Sequence, residues 1–326
     1  MHVSPTVWAI TIAVTLLVLA FDIVVIGRRP HEPSMRESSI AISIYIGLAI
    51  LFGFGVWATT GPGFAGEFFA GWLTEYSLSV DNLFIFIIIM STLRVPRQLQ
   101  QYALMVGIVL ALLFRAIFIA AGAAAIERFS WIFFVFGGFL IWTAIHLFRE
   151  YLKPDSDEEM TENFLMRWVK GRFPSTPEFQ GTKLVVQGVD ADGKHVRLIT
   201  PMLFVVIALG STDLLFALDS IPAIYGLTQE PYLVFSANVF ALMGLRQLYF
   251  LIGGLLQRLV YLSVGLSFIL AFIGVKLILH AMHEYHLDEQ LGFNGEIPIW
   301  LSLVIIIGTL VVTTVASLLK SRRDAA

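Results

Sequence analysis

Long apolar windows, separated by polar connections, run along most of the chain. The hydrocarbon core of a bilayer is about 30 Å thick, so a window of about 20 apolar residues can cross it as one helix. The windows of this length are Val7–Gly27, Ile40–Ala58, Gly66–Thr92, Tyr102–Gly122, Phe129–Tyr151, Thr200–Tyr225, Tyr232–Leu255, Leu259–Met282 and Ile297–Leu319. Because a backbone surrounded by lipid must satisfy its own hydrogen bonds, we predict an all-α polytopic membrane protein with about nine transmembrane helices.

Composition agrees with this pattern. Hydrophobic residues make up 57% of the chain and charged residues only 14%, whereas soluble domains carry about 25% charged residues. The net charge of −3 provides no basic surface, so we expect no nucleic-acid partner. The absence of cysteine excludes disulfides, thiolate metal sites and cysteine nucleophiles.

Basic residues collect in every second connection between the windows. They are Arg28, Arg29 and Arg36; Arg94 and Arg97; those of the 152–199 segment; Arg258; and Lys320, Arg322 and Arg323. Since cytoplasmic connections are enriched in Lys and Arg, this pattern predicts an N-terminus outside and a C-terminus in the cytoplasm. The first window lacks a charged leader and a cleavage site, so we expect a retained span.

The windows divide one transmembrane domain, residues 1–326, into parts. We assign two N-terminal helices to 7–65, a first repeat to 66–151, a cytoplasmic loop to 152–199, a second repeat to 200–282 and a last helix to 297–319. Within the loop we predict a short amphipathic helix at Phe164–Val169 and a β-hairpin with strands that start at Lys183 and His195. A structured connector between the two halves is the favoured interpretation, and a regulatory role is the alternative.

A costly acidic pattern occurs twice inside apolar windows. Thr74-Glu75 is followed by Asp81-Asn82, and 138 positions later Thr212-Asp213 is followed by Asp219-Ser220. A carboxylate in a membrane helix costs roughly 2.5–3.5 kcal/mol on insertion scales, so such residues usually serve ion pathways. Each copy begins a unit of three helices, and an odd number of spans inverts the second unit relative to the first. We therefore predict an inverted three-plus-three helix repeat, an architecture found in secondary transporters.

Basic residues of the two units also correspond. Arg115 in the fourth window has a counterpart in Arg246 of the seventh, and His146 in the fifth window has one in Lys276 of the eighth. We assign these four residues to an ion pathway and its coupling. Asn238 lies two turns before Arg246, and a helix–helix hydrogen bond is favoured there over a ligand role.

Helical geometry arranges the acidic motifs into stripes. At 3.6 residues per turn, Glu75, Ser79 and Asn82 share one stripe, and Thr74 and Asp81 form an adjacent one. The second copy repeats these stripes with Asp213 and Ser220, and with Thr212 and Asp219. Carboxylate, amide and hydroxyl oxygens are hard ligands, which suit Mn²⁺, Ca²⁺ or Mg²⁺.

Charge counting leaves two interpretations open. The four motif acids contribute −4 if all are ionised, while Arg115, Arg246 and Lys276 contribute +3. The groups could neutralise one another as structural ion pairs, or the acids could exchange cations and protons along a pathway. Crowded carboxylates favour proton uptake, so proton coupling is a hypothesis.

The motifs resemble those of the TerC/Alx family of bacterial integral membrane proteins. The resemblance rests on Ser77–Phe84, Ser211–Ala223 and Ser236–Phe250, and it covers nearly the whole chain. It implies a member of the LysE-like transporter superfamily, whose relatives are linked to Mn²⁺ export, to metalation of exported proteins and to tellurium resistance. Carried over by position, the implied metal-site residues are Glu75, Asp81, Asn82, Asp213, Asp219 and Ser220.

Two positions depart from the family pattern. His146 stands where many relatives have lysine, and Gly210 stands where relatives often have glutamate. Both departures leave proton coupling and ion preference open. Three further residues, His280, His283 and His286, lie near the outer end of the eighth window. They suggest an outer metal-binding loop, although a solvated polar loop explains them equally well.

The favoured interpretation is a Mn²⁺ exporter of the bacterial inner membrane that works by alternating access. We expect no enzymatic activity and no resident cofactor, because Mn²⁺ is the transported substrate. The expected partners are the lipid bilayer and a divalent cation, with a homo-oligomer or with membrane or exported proteins as further possibilities. One alternative is a membrane scaffold of a metal or tellurite stress complex. The other is an oxyanion pathway that uses Arg115 and Arg246.

Overall fold

The computed structural model describes residues 3–28, 33–129, 131–152, 175–189, 195–252, 260–287 and 297–324. These residues form an α-helical bundle with one small hairpin. The helices are α1 (Pro5–Arg28), α2 (Met35–Thr60), α3 (Pro62–Thr92), α4 (Arg97–Arg128), α5 (Ile132–Leu152), α6 (Pro201–Tyr225), α7 (Pro231–Met243), α8 (Leu245–Ile252), α9 (Leu262–Glu284) and α10 (Ile299–Asp324).

The predicted all-α membrane fold is confirmed. By length and composition, eight helical segments of the described residues could cross a membrane, and α1 contains a shorter apolar stretch, Pro5–Val18. The seventh predicted helix corresponds to α7 and α8, which form one span, Pro231–Leu251, interrupted at Gly244. Several helices are longer than their apolar windows; α4 has 32 residues. Polar residues at their ends continue these helices beyond the apolar windows, because the backbone hydrogen bonds of an α-helix form without lipid as well.

Proline and glycine set several helix boundaries. Pro62, Pro201 and Pro231 each stand at the start of a helix, where an N–H group would have no intrahelical acceptor. Gly61 separates α2 from α3 with a φ of 98°, a backbone conformation that is strained for residues with a Cβ. The two helices therefore follow each other with a single-residue turn.

The helices pack in exchanged pairs. Contacts are extensive between α3 and α7, between α4 and α6, and between α5 and α9. In each of the first two pairs, one helix comes from each acidic unit, and α5 and α9 are the final helices of the two units. This exchange is consistent with an inverted repeat, and the repeat itself stays a prediction.

The crossing of α5 and α9 has almost no space between the two backbones. A Cβ atom on Gly137 would lie 2.7 Å from the carbonyl oxygen of Gly274, and one on Gly274 would lie 2.8 Å from that of Gly137. Small residues allow this approach, which gives membrane helices close van der Waals contact. Leu140, Ile269 and Ile273 pack beside the crossing as part of a buried apolar cluster.

The predicted hairpin is also confirmed. Strands β1 (Val185–Val189) and β2 (His195–Ile199) pair antiparallel, with Val185 opposite Ile199. Thr200 ties the hairpin to the start of α6, since its hydroxyl donates to the carbonyl of Lys183 at 2.6 Å. The amphipathic helix predicted at 164–169 lies outside the described residues.

Candidate functional site

Arg115 is the centre of a buried polar cluster. It lies in the middle of α4, within an otherwise apolar segment, and its exposed fraction is 0%. Because α4 packs against α6 and α7, the guanidinium group of Arg115 reaches polar side chains of three neighbouring helices. These side chains are Glu75 of α3, Asp213 and Ser220 of α6, and Asn238 of α7.

The guanidinium group donates in several directions. Its Nε and Nη2 atoms bond the two carboxylate oxygens of Asp213, each at 3.3 Å, which is the bidentate geometry that arginine favours. Nη1 forms an ion pair with Glu75 and bonds the hydroxyl of Ser220 at 3.1 Å and the amide oxygen of Asn238 at 2.9 Å. The predicted helix–helix hydrogen bond of Asn238 is thereby confirmed, with Arg115 as the partner.

The charges of this cluster do not balance. One guanidinium contacts two carboxylates, and Glu75 and Asp213 are both no more than 1% exposed. Counted as ions, these three side chains sum to −1. A buried charge without compensation costs several kcal/mol, on the order of its desolvation energy. A further positive charge beside the two carboxylates would offset this cost.

Further buried oxygens have no donor or acceptor among the described residues. They are one carboxylate oxygen of Glu75 and the hydroxyls of Thr74, Ser77, Ser79 and Ser236. All five side chains are buried, and buried polar atoms are normally hydrogen-bonded. Such groups are suited to contact water or an ion, and Ser77 and Ser236 are additions to the residues that the sequence indicated.

The second carboxylate of the second motif, Asp219, has a separate environment. Asp219 is half-buried, and its carboxylate accepts a hydrogen bond from Thr143 of α5 at 3.1 Å. Thr212 donates to the carbonyl of Ala208 in its own helix at 2.7 Å. Asn82 is buried in α3, and Asp81 is the residue just before it in the same helix, although the side chain of Asp81 lies outside the described part of the chain.

Two other basic candidates have described contacts of their own. Arg246 follows the interruption at Gly244; it donates to the sulfur of Met105 at 3.3 Å and, in the amide orientation that satisfies Gln247, to that side-chain oxygen at 2.6 Å. His146 is exposed on α5, with its ring stacked on Trp142 at 5.8 Å. The arginines of the two repeats therefore have different described contacts.

The three histidines His280, His283 and His286 are spread over the end of α9 and the residues after it. A nitrogen of His280 lies 2.6 Å from the amide of Gln229, and its ring packs edge-to-face on Phe133 at 5.0 Å. His286 is exposed and has a positive φ of 55°, while His283 is half-buried. Across the described ranges, no group of at least three His, Cys, Asp or Glu side chains is arranged to hold a metal ion.

A second polar region lies at the same end of the bundle as His280. It is a cavity of about 260 Å³ that includes Glu67, Thr228, Glu230 and Lys276 in its lining. Glu67, Thr228 and Glu230 belong to neither of the two acidic motifs of the sequence. Glu67 was the available signal, because it is a carboxylate near the start of a predicted span. Thr143 was missed as well, since a threonine in an apolar window carries no distinctive pattern.

The sequence that carries these two polar regions matches a known protein family. The profile described as "Integral membrane protein TerC family" matches residues 60–325. The chain belongs to the TerC family. That match includes both acidic motifs, Arg115 and the cavity residues, so the two polar regions lie within the TerC family segment.

Relatives extend over nearly the whole TerC family chain. A membrane protein of Mycobacterium tuberculosis is 44% identical over 334 residues, covering 100% of this chain and 82% of the relative. A Myxococcus xanthus membrane protein is 41% identical, covering 98% of this chain and 94% of its own. Alx of Escherichia coli K12, named as a proposed membrane-bound redox modulator, is 32% identical, covering 95% and 93%. No solved structure is significantly similar to the chain.

Proposed function

We propose that this protein exports a divalent cation, Mn²⁺, across the bacterial inner membrane by alternating access, with protons as counter-ions. The observation that supports the proposal is the charge imbalance around Arg115. Two buried carboxylates from different helices share one guanidinium, and one oxygen of Glu75 has no hydrogen-bond partner in the described residues. Hard oxygen ligands of this kind suit Mn²⁺.

Arg115 competes with the cation in this mechanism. When the ion binds Glu75 and Asp213, the guanidinium keeps its neutral acceptors, Ser220 and Asn238, which it already contacts. When the ion leaves, the guanidinium returns to the carboxylates, so the buried acids are never without a positive partner. The acids of Asp81 and Asp219 extend the path to either side, since six residues of helix span about 9 Å.

Two other functions receive less support. An oxyanion pathway needs a positive site, but Arg115 is neutralised by two carboxylates. A scaffold explains the ion pairs as internal bracing, but it does not explain the excess negative charge. A thiol-based redox role cannot reside in this chain's own residues, because it contains no cysteine.

The test is metal flux in proteoliposomes, with Mn²⁺, Ca²⁺, Mg²⁺ and Zn²⁺ each offered with and without a pH gradient. We expect Mn²⁺ flux that a pH gradient alters, and its loss in Glu75→Gln, Asp213→Asn and Asp219→Asn. Glu284→Gln removes an exposed acid and serves as the matched control. Unaltered flux in all three acid variants would contradict the proposal, and retained partner pull-down with no wild-type flux would favour the scaffold.

The inner-membrane orientation has its own test. Because the natural chain has no cysteine, single cysteines can be introduced without background labelling. Gln229→Cys and Gln180→Cys lie at exposed or half-exposed positions in connections on opposite sides of the predicted topology. A membrane-impermeant maleimide should label the first in intact spheroplasts and the second only after lysis. The reverse result would invert the proposed orientation.

A further inference from the structure

The cavity beside Glu67 is separate from the Arg115 cluster. It lies where α3 begins, where residues 226–230 connect α6 to α7, and where the last turns of α9 pass. Glu67 precedes Glu75 by eight residues, which corresponds to about 12 Å along the helix axis. The predicted topology places this cavity at the outer end of the bundle.

The charged groups of the lining favour a cation. Glu67 and Glu230 contribute two carboxylates and Lys276 contributes one ammonium group, and all three are half-buried. Counted as ions, they sum to −1. His280 adds an imidazole that already contacts Gln229. A half-buried cavity with excess negative charge attracts cations because its surroundings screen charge less than water does.

The connection between α6 and α7 holds Glu67 in position. The hydroxyl of Thr228, which is 3% exposed, donates to Oε2 of Glu67 at 2.6 Å. The same hydroxyl accepts from the backbone N–H of Glu230 at 3.2 Å. Within the described residues no donor contacts Oε1 of Glu67, so this oxygen remains available to a ligand.

Lys276 is directed to a neutral partner. Its ammonium group donates to the hydroxyl of Ser302 in α10 at 3.4 Å. The lysine thus lowers the negative charge of the cavity from one side without covering Glu67. A cation that enters the cavity can therefore meet Glu67 and Glu230 while Lys276 opposes it.

The cavity is built for an ion that keeps its water. The lining contains two carboxylates, Glu67 and Glu230, which are fewer oxygen ligands than a divalent ion needs when it has lost its water. At about 30 Å³ per water, the cavity of about 260 Å³ holds roughly eight waters. That is enough for an ion with a six-water shell, which small divalent cations give up reluctantly.

We propose that the Glu67–Thr228–Glu230–Lys276 cavity is a second binding site, which holds a hydrated divalent cation at the outer end of the transport path. This assignment rests on the proposed export function for its physiological meaning. Glu67 and Glu230 bind the hydrated ion through its water shell. Lys276 keeps the affinity low, so that the ion leaves.

The test uses the full-length protein in nanodiscs and MnCl₂ as the probe. Bound Mn²⁺ is counted from the loss of the electron paramagnetic resonance signal of the free ion. Hexaamminecobalt(III) is the competitor, because its ligands do not exchange and it fits only where a hydrated ion fits. We expect a weak class of Mn²⁺ sites that this competitor displaces. Glu67→Gln and Glu230→Gln should each raise the Kd of that class about tenfold.

Lys276→Met provides a change of opposite sign. Removing the opposing charge should lower the Kd of the displaceable class roughly threefold, an effect that damage to the fold would not produce. Glu284→Gln removes an exposed acid from the same end of the bundle but outside the cavity lining, and it should leave the Kd unchanged. Acid variants that match this control, or weaker binding in Lys276→Met, would overturn the assignment.

The two proposals fail separately in this design. Glu75→Gln and Asp213→Asn should abolish flux and leave the displaceable class intact. Displaceable binding without any wild-type flux contradicts the export function alone. Flux that depends on Glu75, in a protein with no displaceable class, contradicts the cavity site alone.

Discussion

The Arg115 cluster and the cavity beside Glu67 contain the same kinds of groups in opposite settings. Each has two carboxylates and one basic side chain: Glu75, Asp213 and Arg115 in the cluster, and Glu67, Glu230 and Lys276 in the cavity. The cluster side chains are at most 1% exposed and touch one another. The cavity side chains are half-buried around open space, and the lysine bonds a hydroxyl.

The difference shows how burial determines charge pairing. Where water is excluded, a carboxylate without a direct partner is too costly to keep, so the base must contact the acids. Where water enters, the same charges can stay apart, since solvent stabilises each of them. The cluster is therefore suited to exchange one positive partner for another, and the cavity to hold an ion loosely.

The largest expected effect is the loss of stability when Arg115 is removed, with removal of Lys276 as the comparison. Arg115→Met leaves Glu75 and Asp213 buried without their base and should lower the free energy of unfolding by about 3–5 kcal/mol. Lys276→Met should change it by less than about 1 kcal/mol, because the lysine is half-buried and bonds a neutral hydroxyl. Thermal unfolding of both variants in detergent measures the contrast. Equal losses in the two variants would remove the distinction between the regions.

A double-mutant cycle measures each pairing directly. The pair Glu75→Gln and Arg115→Met should show a coupling energy of roughly 1–3 kcal/mol, as expected for groups in contact. The pair Glu67→Gln and Lys276→Met should show less than about 0.5 kcal/mol. The cycles are run on the unfolding of the full-length protein. A strong coupling in the second pair would mean that Lys276 covers Glu67.

The smallest effects concern the threonines that hold two carboxylates. Thr143→Val removes a hydrogen-bond donor to Asp219, and Thr228→Val removes a hydrogen-bond donor to Glu67. Each should lower the free energy of unfolding by about 0.5–1.5 kcal/mol. Only Thr228→Val should also weaken the Mn²⁺ class that hexaamminecobalt(III) displaces. An effect of Thr143→Val on that class would join the two regions into one site.

The sequence was sufficient for the helices and for the central acids. Apolar windows long enough to cross a bilayer fix the spans, and Glu75 and Asp213 stand out because a charge in such a window requires a reason. The β-hairpin also followed from alternating apolar residues around the turn signal at 190–193. These features depend on local patterns, which a single sequence contains.

The partner choice of the arginines could not be predicted. The repeat suggests equal roles for Arg115 and Arg246, yet their described contacts differ: Arg115 contacts Glu75 and Asp213, and Arg246 contacts Met105. Asn238 is one source of the difference: it lies eight residues before Arg246, whereas the same position before Arg115 is Gly107. The two halves therefore differ at this position, and the amide of Asn238 accepts a hydrogen bond from Arg115.

The cavity beside Glu67 could not be predicted from the sequence, for a different reason. Its side chains come from the first turns of α3, the connection after α6 and the last turns of α9. Acids near the ends of spans are common at the membrane surface, so Glu67 and Glu230 are not distinctive one by one. Only the packing of the helices brings them beside Lys276.

The glycine crossing of α5 and α9 restricts how this protein can evolve. At Gly137 and Gly274, even the smallest side chain would meet a backbone oxygen of the opposite helix at 2.7–2.8 Å. Every one-step substitution at either position is therefore a loss, and the two positions cannot compensate for each other, because each already has the smallest residue. We expect random mutagenesis with selection for function to recover no substitution at Gly137 or Gly274, while lipid-facing positions of the same helices vary freely.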